Sequence, residues 1–205
     1  MDTTSYNQSE ADKQASNYIL VDGIPGWCDF TDFYLRLATW LPNNAEFCEV
    51  GTWLGSSAIF MATTLKNMGK NRVKVVCVDT WAGTPAEHGH IVASKGGSDG
   101  VYSEFVGNVM RANVGDMIAP VRMKSLDAAA IIRNRQLCAA FIDADHSYEA
   151  VRDDIRVWSE KVVRGGILCG HDWGFDSVKT AVKEFAAAKR IPIEESGSVW
   201  SCVLK

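Results

Sequence analysis

Short apolar runs alternate along the chain with longer stretches whose apolar residues recur every three or four positions, the pattern of strands alternating with helices. Residues 46–50 (EFCEV), 73–79 (VKVVCVD) and 137–143 (LCAAFID) predict strands, and the near-continuous apolar character of the last two suits burial on both faces of a sheet. Residues 117–123 and 167–170 predict two more, the latter after a helix stop at Gly165 and Gly166. Helical spacing covers 56–68, 127–135, 177–188 and 148–163, the last with Val151, Ile155 and Trp158 on one face. Near the end, 191–195 and 199–204 flank Ser196, Gly197 and Ser198 as an antiparallel hairpin. Seven strands joined by helices imply βαβ units and a doubly wound α/β sheet within one domain, residues 46–205. Ahead of it, Phe30, Phe33, Tyr34, Leu37 and Trp40 give 29–40 an amphipathic helical pattern, so 1–45 is expected to be a helical cap and not an independent domain.

The 205 residues are 47% hydrophobic and 22% charged, a globular balance that excludes disordered and collagen-like chains. A formal net charge of −4, from 21 basic and 25 acidic residues, argues against nucleic acid as the main partner. No apolar run approaches the ~20 residues that span a bilayer, and the polar start lacks a cationic segment followed by an apolar one. A cytoplasmic protein without a membrane partner is therefore expected. Cys28, Cys48, Cys77, Cys138, Cys169 and Cys202 lie far apart with no C-x-x-C pair, as reduced core cysteines do.

Candidate chemistry gathers where the strands end. In Glu49-Val50-Gly51-Thr52-Trp53-Leu54-Gly55-Ser56-Ser57, an acid ends a strand and two glycines bracket a turn into a helix, where missing Cβ atoms and unpaired N–H groups make room for a ligand. The turn lacks both the G-x-G-x-x-G spacing of dinucleotide enzymes and the lysine of a P-loop. Asp79 ends the next strand, and a carboxylate one strand over from such a turn can accept both hydroxyls of a ribose. Trp81, two residues on, is placed to cover an adenine. Asp143, Asp145, His171 and Asp172 end two further parallel strands and should converge on the same edge. Such a set suits Mg²⁺ or Mn²⁺ with a spare side chain to take a proton, although Asp145 and Asp172 would equally serve as helix caps with no metal at all.

The order EVGTWLGSS, VDTWAG, FIDADHSYEAVRDDI, GGILCGHDW resembles the class I S-adenosylmethionine-dependent methyltransferases. The resemblance runs from about residue 45 to the C-terminus and is closest to the macrocin-type and sugar O-methyltransferases, more distantly to catechol O-methyltransferase. It implies a Rossmann-like sheet of order 3-2-1-4-5-7-6 with the last strand antiparallel. It also implies a transferase that methylates a small-molecule hydroxyl of a sugar, phenol or natural product, using S-adenosylmethionine and a divalent metal, Mg or Mn. Glu49, Gly51, Gly55 and Ser56 would then line the methionine and ribose end of the cofactor, Asp79 would hold the ribose, and Trp81 and Ser125 would flank the adenine. Asp143 would lie against the cofactor and ligate metal with His171 and Asp172, and Asp145 or His171 would act as base.

Histidine at 171 departs from the acidic pair or Asp-Asn of metal-dependent members, and imidazole is a poor Mg²⁺ ligand. The Gly- and Ser-rich stretch 82–102 reads as a long lid loop bearing His88 and His90, with Trp27, Trp173 and Phe175 as an aromatic wall for an acceptor. Two other readings stay open on the residues alone: a nicotinamide-dependent oxidoreductase, opposed by the glycine spacing, and a nucleoside-binding module without catalysis. The oligomeric state, including a homo-oligomer, is equally open.

Overall fold

Alternation along the strands decides which side chain meets which helix. The computed structural model describes residues 18–21 and 23–205. A hairpin of β1 (Tyr18–Val21) and β2 (Ile24–Trp27) leads into α1 (Thr31–Trp40). The sheet then starts with β3 (Glu46–Val50), α2 (Ser56–Asn67) and β4 (Lys74–Asp79). After it come α3 (Pro85–Ser94), α4 (Ser98–Arg111), β5 (Ile118–Arg122), α5 (Ser125–Ile131), β6 (Leu137–Ile142) and α6 (Tyr148–Lys161). β7 (Val162–Gly170), α7 (Asp176–Lys189), β8 (Glu194–Ser196) and β9 (Val199–Val203) complete the chain.

The seven-stranded sheet has the order β5-β4-β3-β6-β7-β9-β8, the order expected from the resemblance. β5, β4, β3, β6 and β7 run parallel, and β9 is antiparallel to both β7 and β8. Phe47, Val75, Cys77, Ala139 and Phe141 face the core built with α1, α2 and α4. Their neighbours Cys48, Val78, Ala140 and Ile142 face the core built with α5, α6 and α7. Burial on both faces is why these strands read as continuous apolar runs. All six cysteines are free thiols, five of them buried.

Two expectations are corrected. The stretch 82–102 is not a loop: it contains α3 and the first turn of α4. Its glycines do not break these helices but separate them, with Gly96 and Gly97 at φ 84°. Gly165 and Gly166 do not end a helix either; they lie inside β7, where the Gly165 N–H donates to the Leu204 carbonyl at 2.7 Å. The described part of the cap carries the β1–β2 hairpin as well as a helix. Among the described residues no helix is long and apolar enough to cross a membrane.

Candidate active site

The chain runs outward from β3 through β4 to β5, then returns to lay β6 on the other side of β3, so the crevice at the carboxyl ends of the strands opens between β3 and β6. Gly51 and Asp143 follow these two strands. Their approach is so close that a Cβ on Gly51, whose φ is 90°, would lie 1.9 Å from the Asp143 carbonyl oxygen. A cavity of about 1170 Å³ extends along this edge.

Glu49 sits behind that wall and does not line the cavity, a correction to its expected place. Strand alternation turns its side chain toward α1 and α2, where Tyr34 Oη donates to one oxygen at 2.6 Å and Ser57 Oγ to the other at 2.9 Å. Burial pushes the Glu49 carboxyl up to about 8, against the pull of those two hydrogen bonds.

Gly55 is also turned away from the cavity: glycine is required there because φ is 89° and because a Cβ would meet the Phe105 ring at 2.9 Å. Ser56 does line the cavity. It is the first residue of α2, whose N-terminus has no side-chain cap; the residue is 5% exposed, and its enclosed hydroxyl has no hydrogen-bond partner among the described residues. An uncapped helix start offers backbone N–H donors to a carboxylate.

Asp79 lines the cavity from the tip of β4. One oxygen accepts the Trp53 N–H at 2.8 Å and the other the Trp81 N–H at 2.7 Å, so the acid braces the glycine turn and keeps lone pairs for a ligand. Burial raises its carboxyl against these bonds. Trp81 does not cover the cavity. With φ at 55°, it turns inward, fully buried against Tyr102 and Phe105, and its indole N–H donates to the Trp53 carbonyl at 2.7 Å. Ser125 lines the far end, beyond β5, and accepts the Trp158 indole N–H at 2.8 Å.

At the other end, β6 and β7 deliver Asp143, Asp145, His146, His171 and Asp172, and all five line the cavity. Asp172 adopts φ 60°, an uncommon backbone for a non-glycine residue that recurs here at Trp53 with φ 50°. Donor atoms of Asp143, His146 and Asp172 lie within 4.8 Å of one another. Two carboxylates and one imidazole form a donor set that fits Mn²⁺ or another divalent ion accepting nitrogen. His146 Nε2 lies 2.9 Å from an Asp172 oxygen, and its ring stacks on Phe175 at 5.2 Å.

His171, the ring expected beside Asp143 and Asp172, is not in that three-donor group, where His146 stands instead. Its Nε2 lies 2.8 Å from Asp29 Oδ1, and its Nδ1 lies 3.2 Å from Asp172 and 3.4 Å from Asp143. Burial works against the charged ring, but these three carboxylates outweigh it and push the imidazole up to about 12. Both ring nitrogens of His171 are thus held against carboxylates. Asp145 is a weak base. Burial would raise its carboxyl, but the Ser147 hydrogen bonds, including its N–H at 2.7 Å, hold it below the usual range. Burial raises Asp143, whereas hydrogen bonds from His146 and His171 overcome burial at Asp172 and hold it well below.

Trp27 and His88 line the cavity mouth, the His88 ring packing on Trp27 at 5.4 Å and on Trp53 at 5.0 Å. His90 is exposed and outside the cavity. Trp173 is likewise outside, buried beneath the ammonium groups of Lys179 and Lys183, while Phe175 does form part of the wall.

Residues 48–173 match the methyltransferase domain family. This chain belongs to that family. Its methyl donor is S-adenosylmethionine, and Gly51, Ser56 and Asp79 lie on the cavity wall. The O-methyltransferase NovP superposes with a TM-score of 0.69 at 16% identity, over 85% of this methyltransferase and 79% of that chain. An O-methyltransferase from Bacillus cereus in complex with SAH gives 0.59 at 16% identity, over 99% and 92%. Cofactor-bound Rv0187 from MTB gives 0.63 at 16% identity, over 99% and 90%. At these identities the likeness is one of fold. No curated protein matches the sequence.

Proposed function

We propose that this methyltransferase transfers the methyl group of S-adenosylmethionine to a hydroxyl oxygen of a small-molecule acceptor, a sugar, phenol or natural product, with a divalent cation held by Asp143, His146 and Asp172. The observation that carries this reading is the meeting of those three donors within 4.8 Å at the β6–β7 end of the cavity, on the opposite side of Gly51 from the ribose acid Asp79. The bound ion would supply positive charge that lowers the pKa of the acceptor hydroxyl.

The chain's own groups do the positioning. Asp79 accepts from the ribose hydroxyls, and the N–H groups at the α2 N-terminus hold the methionine carboxylate. His171, gripped by Asp29, stands between Asp143 and Asp172 and fixes both carboxylates. Asp145 stays ionised at neutral pH and can accept a hydrogen bond from the acceptor. Trp27, Trp53, His88 and Phe175 wall the mouth with rings against which an acceptor packs and from which water is displaced. Eight aspartates and one lysine, Lys124, line the cavity, a charge balance that favours a small acceptor over a polyanion.

The test is methyl transfer to a panel of sugars and phenols, followed by mass spectrometry, with and without chelator. Activity is expected to fall with chelator and return with Mn²⁺. His146→Ala should lose Mn²⁺ binding, whereas His171→Ala should retain more of it. Transfer indifferent to chelator, or Mn²⁺ affinity unchanged in His146→Ala, would remove the metal from the reading.

A further inference from the structure

Trp81, the aromatic expected over the adenine, lies outside the cavity, and its inward turn gives it a different task. Its N–H and the Trp53 N–H each go to one oxygen of Asp79, and its indole N–H returns to the Trp53 carbonyl at 2.7 Å. Asp79, Trp81 and Trp53 thus close a ring of hydrogen bonds. Both tryptophans in that ring have left-handed backbones, with φ of 55° and 50°. Such a conformation is unfavourable for a residue other than glycine and persists where the surroundings over-determine it.

A second support reaches the next peptide of the same turn. Asn108, on α4, donates from Nδ2 to the Leu54 carbonyl at 2.7 Å, while its Oδ1 accepts from Arg111. The side chain is 2% exposed and neighbours the core residues Phe105 and Val109 on the helix. An apolar residue would serve packing alone at such a position; a buried amide is tolerated because it is bonded at both ends. Three successive peptide planes are therefore each pinned by one side chain: Thr52–Trp53 by Asp79, Trp53–Leu54 by Trp81 and Leu54–Gly55 by Asn108. Thr52, Trp53 and Leu54 line the cavity, whereas Trp81 and Asn108 do not.

We propose that Trp81 and Asn108 are positioning residues for S-adenosylmethionine, setting its affinity without touching it by holding the carbonyls of Trp53 and Leu54 in place. A turn already ordered in the free protein spares the cofactor the cost of ordering it, so the loss of either pin is read as lost affinity. The inference rests on S-adenosylmethionine as the methyl donor and is independent of the metal and of the acceptor.

The experiment measures S-adenosylhomocysteine binding by calorimetry in two variants. Trp81→Phe keeps a ring against Tyr102 and Phe105 but has no indole N–H, and Asn108→Leu keeps the volume but has no amide. Each should bind about 5- to 20-fold more weakly at an unchanged stoichiometry. Val109→Ala is the structural control: it empties a buried site one residue along α4, and its side chain has no hydrogen bond to lose. It should lower the Tm yet leave the affinity within about twofold of wild type. In the transfer assay the two variants should raise the KM for S-adenosylmethionine by the factor seen in calorimetry, with kcat at saturating donor within about twofold. An affinity within about twofold of wild type in either folded variant overturns the role of that residue, and an equal loss in Val109→Ala overturns both. If one variant does not fold, the other carries the test. Failure of the wild type to bind S-adenosylhomocysteine at all overturns the cofactor reading as well.

Discussion

His171 and Asp29, 142 positions apart, meet at 2.8 Å between Nε2 and Oδ1, and the same Asp29 oxygen accepts the Ser198 hydroxyl at 2.8 Å. One carboxylate from the N-terminal segment thus ties the tip of β7 to the β8–β9 turn. Removing it leaves a buried imidazolium with one fewer partner, so Asp29→Ala should destabilise the fold by about 2 kcal/mol. Asp29→Asn keeps an acceptor and should cost less than half of that. Urea unfolding of the two variants checks the ordering.

Glu49 makes stability fall with rising pH. Its folded carboxyl is pushed up to about 8 from an ordinary 4.5, so between those values the folded state binds a proton that the unfolded state has released. Its contribution is intact below the unfolded value and is lost as pH rises, by roughly 1.4 kcal/mol per pH unit across that window. Glu49→Gln removes the titration while Tyr34 and Ser57 keep a polar partner. The ligand-free variant should show a flatter profile of unfolding free energy from pH 5 to 8; an equal slope in both proteins would contradict the assignment.

Gly51 admits no side chain. A methyl group there meets the Asp143 backbone at 1.9 Å and the Ala144 Cα at 2.9 Å, on a φ of 90°. Gly51→Ala should lose about 3 kcal/mol from overpacking and strain, a fall in Tm of order 10 °C. Calorimetry measures it directly.

Asp79 and Asp143 should separate binding from chemistry. Asp79→Ala removes the ribose acceptor and the brace on Trp53 and Trp81, and S-adenosylhomocysteine affinity should fall by about 10- to 100-fold. Asp143→Ala should abolish transfer, yet change that affinity by no more than about threefold, since the proposed function gives its carboxylate to the acceptor end. Isothermal titration of both variants distinguishes the two roles.

The sheet was readable in advance because β4 and β6 are buried on both faces, which writes continuous apolar runs into the chain. Gly51, Asp79, Asp143, Asp145 and Asp172 could be placed at the cavity edge because each ends or follows a strand. Trp81 was misplaced because an aromatic two residues past Asp79 looks the same whether it turns out or in, and a φ of 55° turns it in. That His146 rather than His171 joins the three-donor group was equally illegible. Both stand beside aspartates in the sequence, and Asp29, brought in by a distant segment, encloses one of them with carboxylates. α3 went unread because Gly89 interrupts it and Gly83, Gly96 and Gly97 flank it, giving the stretch a loop-like composition. Asp154 sits within the helical pattern of α6, and nothing local shows that it meets Ser125.

The partners of two buried ionisable groups reach beyond the family-matched stretch. Glu49 receives its hydrogen from Tyr34, and His171 its anchor from Asp29, both upstream of residue 48. A truncation beginning at β3 would keep every strand of the large sheet while stripping a carboxyl of one donor and an imidazolium of one counter-charge. The leading helix is accordingly a structural member of the catalytic body, and deletion mapping that treats it as dispensable should recover insoluble protein.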